Sequence, residues 1–163
     1  KLRSGDPAGA IADCTQAIEI KPDYPGAYHV RGVAKSNSKD FTGAISDFTR
    51  AIKLNPLDAQ MHYSRGYAKA GSGDFSGAIP DYTRAIEIDP AYTQAYYNRG
   101  LAKEKTEDVA GGIRDYTKVI EIDPQFAPAY NARGLAKQKV NDKAGAEEDL
   151  KKAETLKGTR KTE

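Results

Sequence analysis

A 34-residue period constrains this chain more than any other feature of its sequence. A glycine keeps that step, at Gly32, Gly66, Gly100 and Gly134. A proline keeps it as well, at Pro22, Pro56, Pro90 and Pro124. The segments around the glycines share most of their letters: AYHVRGVAK, MHYSRGYAK, AYYNRGLAK and AYNARGLAK. Because self-similarity at a fixed step is typical of repeat architectures, the sequence predicts about four and a half copies of one unit.

Each unit contains two stretches with the apolar spacing of a helix. In one second stretch, Ala78, Tyr82 and Ile86 lie four residues apart and therefore share a helix face. An aspartate precedes each second stretch, and its carboxylate can accept from free backbone N–H groups there. These predicted N-caps are Asp6, Asp40, Asp74, Asp108 and Asp142. The proline after each second stretch disfavours further helix, so two helices per unit are expected.

The repeated positions resemble the tetratricopeptide repeat, a helix-turn-helix unit of the same length. The shared positions are an early aromatic, the glycine, small residues in the second helix and the closing proline. The early aromatic is Tyr28, Tyr96 or Tyr130, with His62 in its place in one repeat. The resemblance covers essentially the whole chain and implies an all-α fold, a right-handed α-solenoid of nine helices. The Arg-Gly pair of each first helix resembles a variant common in bacteria.

The phase of the repeat sets the expected domain boundaries. We expect a partial repeat at residues 1–24 and full repeats at 25–58, 59–92 and 93–126. A last repeat with a polar capping helix is expected at 127–158, and a charged tail at 159–163. The cap is expected because Glu147 and Glu154 replace isoleucines of earlier repeats. Lys1 falls inside a first helix, so we expect a fragment of a longer protein. Its first complete helix would expose apolar surface that invites self-association.

Basic residues occupy two first-helix places where the family usually has a leucine and an aromatic. They are Arg31, Arg65, Arg99 and Arg133, each followed four residues later by lysine. The second helices offer Asp47, Asp81, Asp115 and Asp149. We expect a ladder of ion pairs between the two helices of each repeat. The alternative is a basic stripe for phosphate or nucleic acid, against which the periodic acids and the net charge of +2 argue.

Two departures from the repeat pattern are local. Gly111-Gly112 puts glycine where other repeats have a small residue, and Pro80 stands early in a helix. Both lower the helix propensity of their segments. Relaxed selection explains the glycines, and a hinge at this point is the alternative.

The sequence carries no motif of an enzyme. It lacks a Gly-rich phosphate loop, an HExxH motif and paired cysteines. His29 and His62 have no third ligand, so no metal site and no cofactor are predicted. Cys14 occupies an apolar core position and is expected to be a buried hydrophobe. With one cysteine and no membrane span, the compartment stays open between cytoplasm and periplasm.

The resemblance implies that the first helices line a concave groove that binds a peptide. Mapped by position, the groove residues are His29, Val33, Tyr63, Tyr67, Tyr97, Leu101, Asn131 and Leu135. Its edges carry Gln60, Gln94, Glu104, Lys105, Gln138 and Lys139. Tyrosine suits recognition because it offers a large rigid surface with one polar tip. The alternative is that the tyrosines pack between helices.

We therefore expect a non-catalytic scaffold that binds a protein segment with apolar or aromatic anchors. Members of the family that bind chaperone C-termini grip the terminal carboxylate with lysine and asparagine, which these groove positions lack, so such a partner is not expected. Neither nucleic acid nor membrane is expected as a partner. Two alternatives stay open: a regulatory arm of a larger enzyme or sensor, and a module that self-assembles through its N-terminal helix.

Overall fold

The computed structural model describes residues 6–159, and within that range the chain forms nine α-helices. They are α1 (Pro7–Ile20), α2 (Pro25–Asn37), α3 (Phe41–Leu54), α4 (Ala59–Gly71), α5 (Phe75–Ile88), α6 (Thr93–Lys105), α7 (Val109–Ile122), α8 (Ala127–Lys139) and α9 (Lys143–Thr159). The partial first helix expected at the start and the charged tail after residue 159 lie outside the described residues.

The chain divides into two compact units, Lys1–Pro90 and Ala91–Glu163. The first holds α1 to α5, where α2 packs on α3, α4 packs on α5, and α3 also contacts α4. The second holds α6 to α9, where α6 packs on α7, α8 packs on α9, and α7 also contacts α8. Each unit is thus a stack of helix pairs, as the repeat predicts.

The glycine of each first helix lies directly on a large side chain of the second helix. A Cβ built on Gly66 would stand 2.9 Å from Cε1 of Tyr82, and one on Gly100 would stand 2.6 Å from Cε1 of Tyr116. Both tyrosines are at most 1% exposed, so their rings cannot retreat into solvent. Glycine is required because it lets the two helices approach closely enough to bury these rings.

Each second helix begins with an aspartate cap followed by a glycine. The carboxylates of Asp40 and Asp74 accept hydrogen bonds from the backbone N–H of Gly43 and Gly77, at 2.9 and 2.8 Å. The full glycine series is Gly9, Gly43, Gly77, Gly111 and Gly145. The expected N-caps are therefore confirmed, and Gly111 belongs to the repeat instead of being a local departure.

The turn between the helices of a repeat contains one residue in the left-handed region. This position is Lys39, Gly73, Glu107 or Asn141, with φ values of 64°, 90°, 69° and 62°. The left-handed residue ends the first helix, a conformation that costs little for glycine and more for lysine or glutamate. The turn geometry is thus kept even where the sequence does not favour it.

His62 takes over the contact that tyrosine makes in another repeat. The Tyr28 hydroxyl donates to the carbonyl oxygen of Pro22 at 3.2 Å. The His62 Nε2 lies 3.0 Å from the carbonyl oxygen of Pro56, at the same repeat position. Both rings thereby tie the first helix to the loop before it, which explains how a histidine replaces the family's aromatic.

Candidate functional site

The arginines of the first helices lie beside the aspartates of the second helices. An Nη2 atom contacts an aspartate Oδ1 in each repeat, at 2.7 Å for Arg31–Asp47, 2.5 Å for Arg65–Asp81, 2.7 Å for Arg99–Asp115 and 2.7 Å for Arg133–Asp149. The lysine four residues on contacts the other carboxylate oxygen at 2.8 to 2.9 Å. Every one of these aspartates is buried.

In the last of these clusters, formed by Arg133, Lys137 and Asp149, the contacts shift the pKa values of the arginine and the aspartate. Burial alone would raise the pKa of Asp149, but hydrogen bonds from Arg133 and Lys137 outweigh it and lower the pKa below its ordinary value. The hydrogen bond to Asp149 raises the pKa of Arg133 in turn. The cluster therefore favours the charged forms of Asp149 and Arg133.

The same arginines also reach the neighbouring repeat. An Nη1 of Arg31 donates to the Thr15 hydroxyl at 3.1 Å, and one of Arg133 donates to the Thr117 hydroxyl at 3.1 Å. Arg65 makes the equivalent bond to Thr49 at 3.3 Å. With most of their surface covered, these guanidinium groups join helices and offer little to a phosphate.

In the first unit, α2 and α4 form a small pocket of about 90 Å³. We call it the unit-1 pocket; its lining residues are Val33, Ser36, Asn37, Phe48, Tyr63, Ser64 and Tyr67. Val33 is 37% and Tyr67 54% exposed, so two predicted groove residues present apolar surface to solvent. Tyr63 lines the pocket and also packs on Tyr82, with 5.8 Å between ring centroids. Tyr67 therefore faces solvent, whereas Tyr63 contributes both to the pocket and to the packing between helices.

His29 lies beside this pocket instead of lining it. Its Nε2 is 3.0 Å from the Ser64 hydroxyl, and its ring centroid is 5.6 Å from that of Phe48. Burial lowers the pKa of His29, while the charge of Asp58 opposes that shift. The histidine is therefore stabilised in its neutral form, as a group packed between α2, α3 and α4.

In the second unit, α6 and α8 border a larger cavity of about 870 Å³. We call it the unit-2 cavity; its lining residues are Tyr97, Leu101, Glu104, Lys105, Glu107, Asn131, Ala132, Leu135, Gln138 and Lys139. All four groove residues predicted for this part of the chain belong to it. Leu101 is 39% and Leu135 46% exposed, whereas Tyr97 packs on Phe126 with 5.4 Å between ring centroids.

Glu104, expected only at the edge of the groove, has two close contacts in this cavity. Its Oε1 accepts a hydrogen bond from the Tyr116 hydroxyl at 2.6 Å, and its Oε2 contacts the Lys139 Nζ at 2.7 Å. Burial, and then the bond to Glu104, raises the pKa of Tyr116. The glutamate side chain is only 12% exposed, so a groove-edge position turns out to hold a largely buried carboxylate.

Gly112 makes room for this glutamate. A Cβ on Gly112 would stand 3.0 Å from Cγ of Glu104, a contact tighter than side chains normally accept. Other repeats have Ala44, Ala78 or Ala146 at this place, opposite Ser36, Ala70 or Gln138 in the first helix. In this repeat Gly112 replaces the alanine, and Glu104 replaces the first-helix residue opposite it. This paired change is the sequence signal from which the site could have been found.

Within residues 6–159, no three His, Cys, Asp or Glu side chains come together in a way that could hold a metal ion. Cys14 is buried, and burial raises the pKa of its thiol. No helix of the described range combines the length and apolar character needed to cross a membrane.

The repeats match known sequence families along most of the chain. A model described as tetratricopeptide repeat matches residues 25–56, 93–126 and 127–159, and one described as TPR repeat matches 71–106. The chain belongs to the tetratricopeptide repeat (TPR) family. No curated protein matches it in sequence.

Solved structures of TPR proteins share this fold. The crystal structure of MamA is 26% identical, with a TM-score of 0.94 over 98% of this chain and 93% of that chain. YrrB, described as a TPR protein with an unusual peptide-binding site, is 21% identical, with a TM-score of 0.81 over 92% and 77%. The first TPR of Spaghetti (RPAP3), bound to the HSP90 peptide SRMEEVD, is 22% identical, with a TM-score of 0.70 over 72% and 93%.

The predicted fold class is therefore confirmed: this TPR chain is an all-α solenoid of stacked helix-turn-helix repeats.

Proposed function

We propose that this TPR chain is a non-catalytic scaffold that binds an extended protein segment against its first helices. The observation that carries the proposal is the unit-2 cavity, where Leu101 and Leu135 present apolar surface from two successive first helices. Exposed apolar side chains that converge on a concave surface favour a binding site over plain solvent-facing helix.

The mixture of groups around the cavity suits a peptide. Tyr97, Leu101 and Leu135 supply apolar contact area, while the amides of Asn131 and Gln138 can pair with a peptide main chain. The structures of YrrB and RPAP3 support this choice, since the first is described as having a peptide-binding site and the second holds a peptide.

The partner we propose carries apolar or aromatic anchors and does not end in a gripped carboxylate. The first-helix lysines Lys69 and Lys103 carry the charge needed to hold an acidic terminus, but they already contact Asp81 and Asp115. The predicted groove positions His29, Val33, Tyr63, Tyr67, Tyr97, Leu101, Asn131 and Leu135 supply no permanent cation of their own. An apolar anchor gains more at these positions than an acidic one.

A selection from a library of random twelve-residue peptides on the whole chain tests this proposal. We expect selected peptides to share apolar or aromatic residues. Their Kd, measured by fluorescence anisotropy, should rise at least about tenfold in the Leu101→Ala, Leu135→Ala double variant. These leucines are preferable to Tyr63 and Tyr97 as test sites because they are more exposed and pack less into the core.

Val140→Ala is the matched control, because Val140 is 49% exposed but does not line the cavity. It should leave the Kd unchanged. An affinity that survives the double variant, or that falls equally in the control, would place binding outside the unit-2 cavity.

A further inference from the structure

The carboxylate of Glu104 has two partners of very different exposure. Tyr116, on α7, is fully buried, and its hydroxyl is held against Oε1. Lys139, at the end of α8, has a side chain that is 56% exposed and reaches Oε2 from solvent. Because the exposed Lys139 side chain can turn into solvent whereas the buried Tyr116 ring cannot, Oε2 can exchange its partner while Oε1 cannot.

A cation is nevertheless required at Oε2. The Glu104 side chain is only 12% exposed, and a charge withdrawn from water is costly unless it is paired. When Lys139 leaves, another positive group must arrive or the pair must reform. Another cation can therefore replace Lys139 at Oε2, but the Glu104 carboxylate is unfavourable without a cation.

The surroundings of Oε2 fit a basic side chain. Tyr97, Leu101 and Leu135 line the same cavity and can cover the aliphatic stem of a lysine or arginine, while an aromatic face attracts its charge. Tyr97 and Glu104 line the same cavity; burial raises the pKa of Tyr97, and the charge of Glu104 adds to that shift. Lys105 and Glu107, also on the cavity, offset each other in charge.

We propose that Glu104 is the subsite for a lysine or arginine side chain of the bound segment, which displaces Lys139 from Oε2 while Tyr116 holds Oε1. This inference rests on the proposed function and adds the chemistry of its partner: an extended segment with one basic residue between apolar ones. The third repeat alone combines Glu104 with the glycine that accommodates it, so the subsite belongs to that repeat.

The test uses the whole chain and three acetylated, amidated pentapeptides of the form Tyr-Leu-X-Leu-Tyr. X is arginine, its neutral isostere citrulline, or glutamate. Binding is followed by NMR through the methyl signals of Leu101 and Leu135. We expect the arginine peptide to bind about tenfold more tightly than the citrulline peptide, and the glutamate peptide to bind least.

Two variants separate the exchange from simple attraction. Glu104→Gln, which keeps an acceptor for Tyr116, should abolish the preference for arginine over citrulline. Lys139→Ala should tighten binding of the arginine peptide several-fold, because the internal competitor is gone. Melting curves of both variants check that the fold persists.

The outcomes are distinguishable. Equal binding of all three peptides, or a preference for arginine that survives Glu104→Gln, overturns the subsite and leaves the proposed scaffold standing. Tighter binding of the glutamate peptide, lost in Lys139→Ala, also overturns it and makes Lys139 the recognition group. If no peptide shifts the methyl signals, both the subsite and the peptide-binding role of this cavity fail.

Discussion

Single residues matter most where a buried charge is held by two unlike cations. Asp81 receives the planar guanidinium of Arg65, which contacts both of its oxygens, and the ammonium of Lys69. Arginine can bind a carboxylate through two bonds in a fixed geometry, whereas lysine acts as a point charge. We therefore propose that the arginine sets the angle between the two helices and that the lysine neutralises the remaining oxygen.

Arg65→Ala should lower the free energy of unfolding by about 2 kcal/mol in urea titrations. Removing one partner of a buried pair costs more than that, but Lys69 remains beside Asp81 and limits the loss. Arg84→Ala is the control, because Arg84 forms an exposed pair with Glu87 that should be worth less than about 1 kcal/mol. Equal, small effects of the two variants would contradict a structural role for the ladder.

His29 should make the stability depend on pH in the weakly acidic range. Burial lowers its folded-state pKa from 6.5, so the unfolded chain takes up the proton first as the pH falls. The free energy of unfolding should therefore be constant above pH 7 and decline from about pH 6.5 downwards. His29→Gln should flatten the curve below about pH 6.5, and a slope that persists unchanged would assign the effect to other groups.

At the scale of the element, each second helix depends on a cap and a glycine that work together. The Asp74 carboxylate bonds to the Gly77 N–H at 2.8 Å and stands where a Cβ on residue 77 would lie. Alanine normally favours a helix over glycine by about 1 kcal/mol. Here that gain is cancelled because the methyl group and the capping carboxylate compete for the same space.

Gly77→Ala should consequently destabilise the chain by about 1 kcal/mol, the usual worth of a cap. Thermal unfolding followed by circular dichroism measures the effect. Gly158→Ala in α9 provides the comparison, since nothing lies within 4 Å of its added Cβ, and it should not lower the melting temperature. A stabilised Gly77→Ala variant would show that the carboxylate moves aside without loss.

Much at this scale could be predicted from the sequence because the signals are local and repeated. Aspartates, glycines and prolines at a fixed step give the nine helices of the described range. The pairing of arginine with aspartate also follows from spacing and charge. The predicted groove residues line cavities within each unit, with His29 beside its pocket.

The contact of Glu104 could not be predicted in the same way. It depends on three helices, with the glutamate on α6, the tyrosine on α7 and the lysine on α8. A period reveals what the repeats share, whereas this site exists because one repeat differs from the others. The apparent weakness at Gly112 has the same origin, since its cause is a side chain in another helix.

At the scale of the whole molecule, stability should be local. Repeat arrays are stabilised mainly by contacts within a repeat and with its nearest neighbours. Arg133→Ala should therefore reduce hydrogen-exchange protection in α8 and α9 by about 2 kcal/mol and leave α2 and α3 unchanged. A uniform loss of protection along residues 6–159 would instead show that the chain unfolds as one cooperative body.

The bond from arginine to the preceding threonine has a consequence for how such a chain can grow. Its donor and acceptor are 16 residues apart, at Thr15 and Arg31 or at Thr117 and Arg133. Duplicating any 34-residue segment of the chain restores a complete threonine–arginine bond at both ends of the copy, wherever the copy begins. A gain or loss between such a threonine and its arginine that is not a multiple of 34 residues breaks this bond, so the length of the repeat is inherited together with its chemistry.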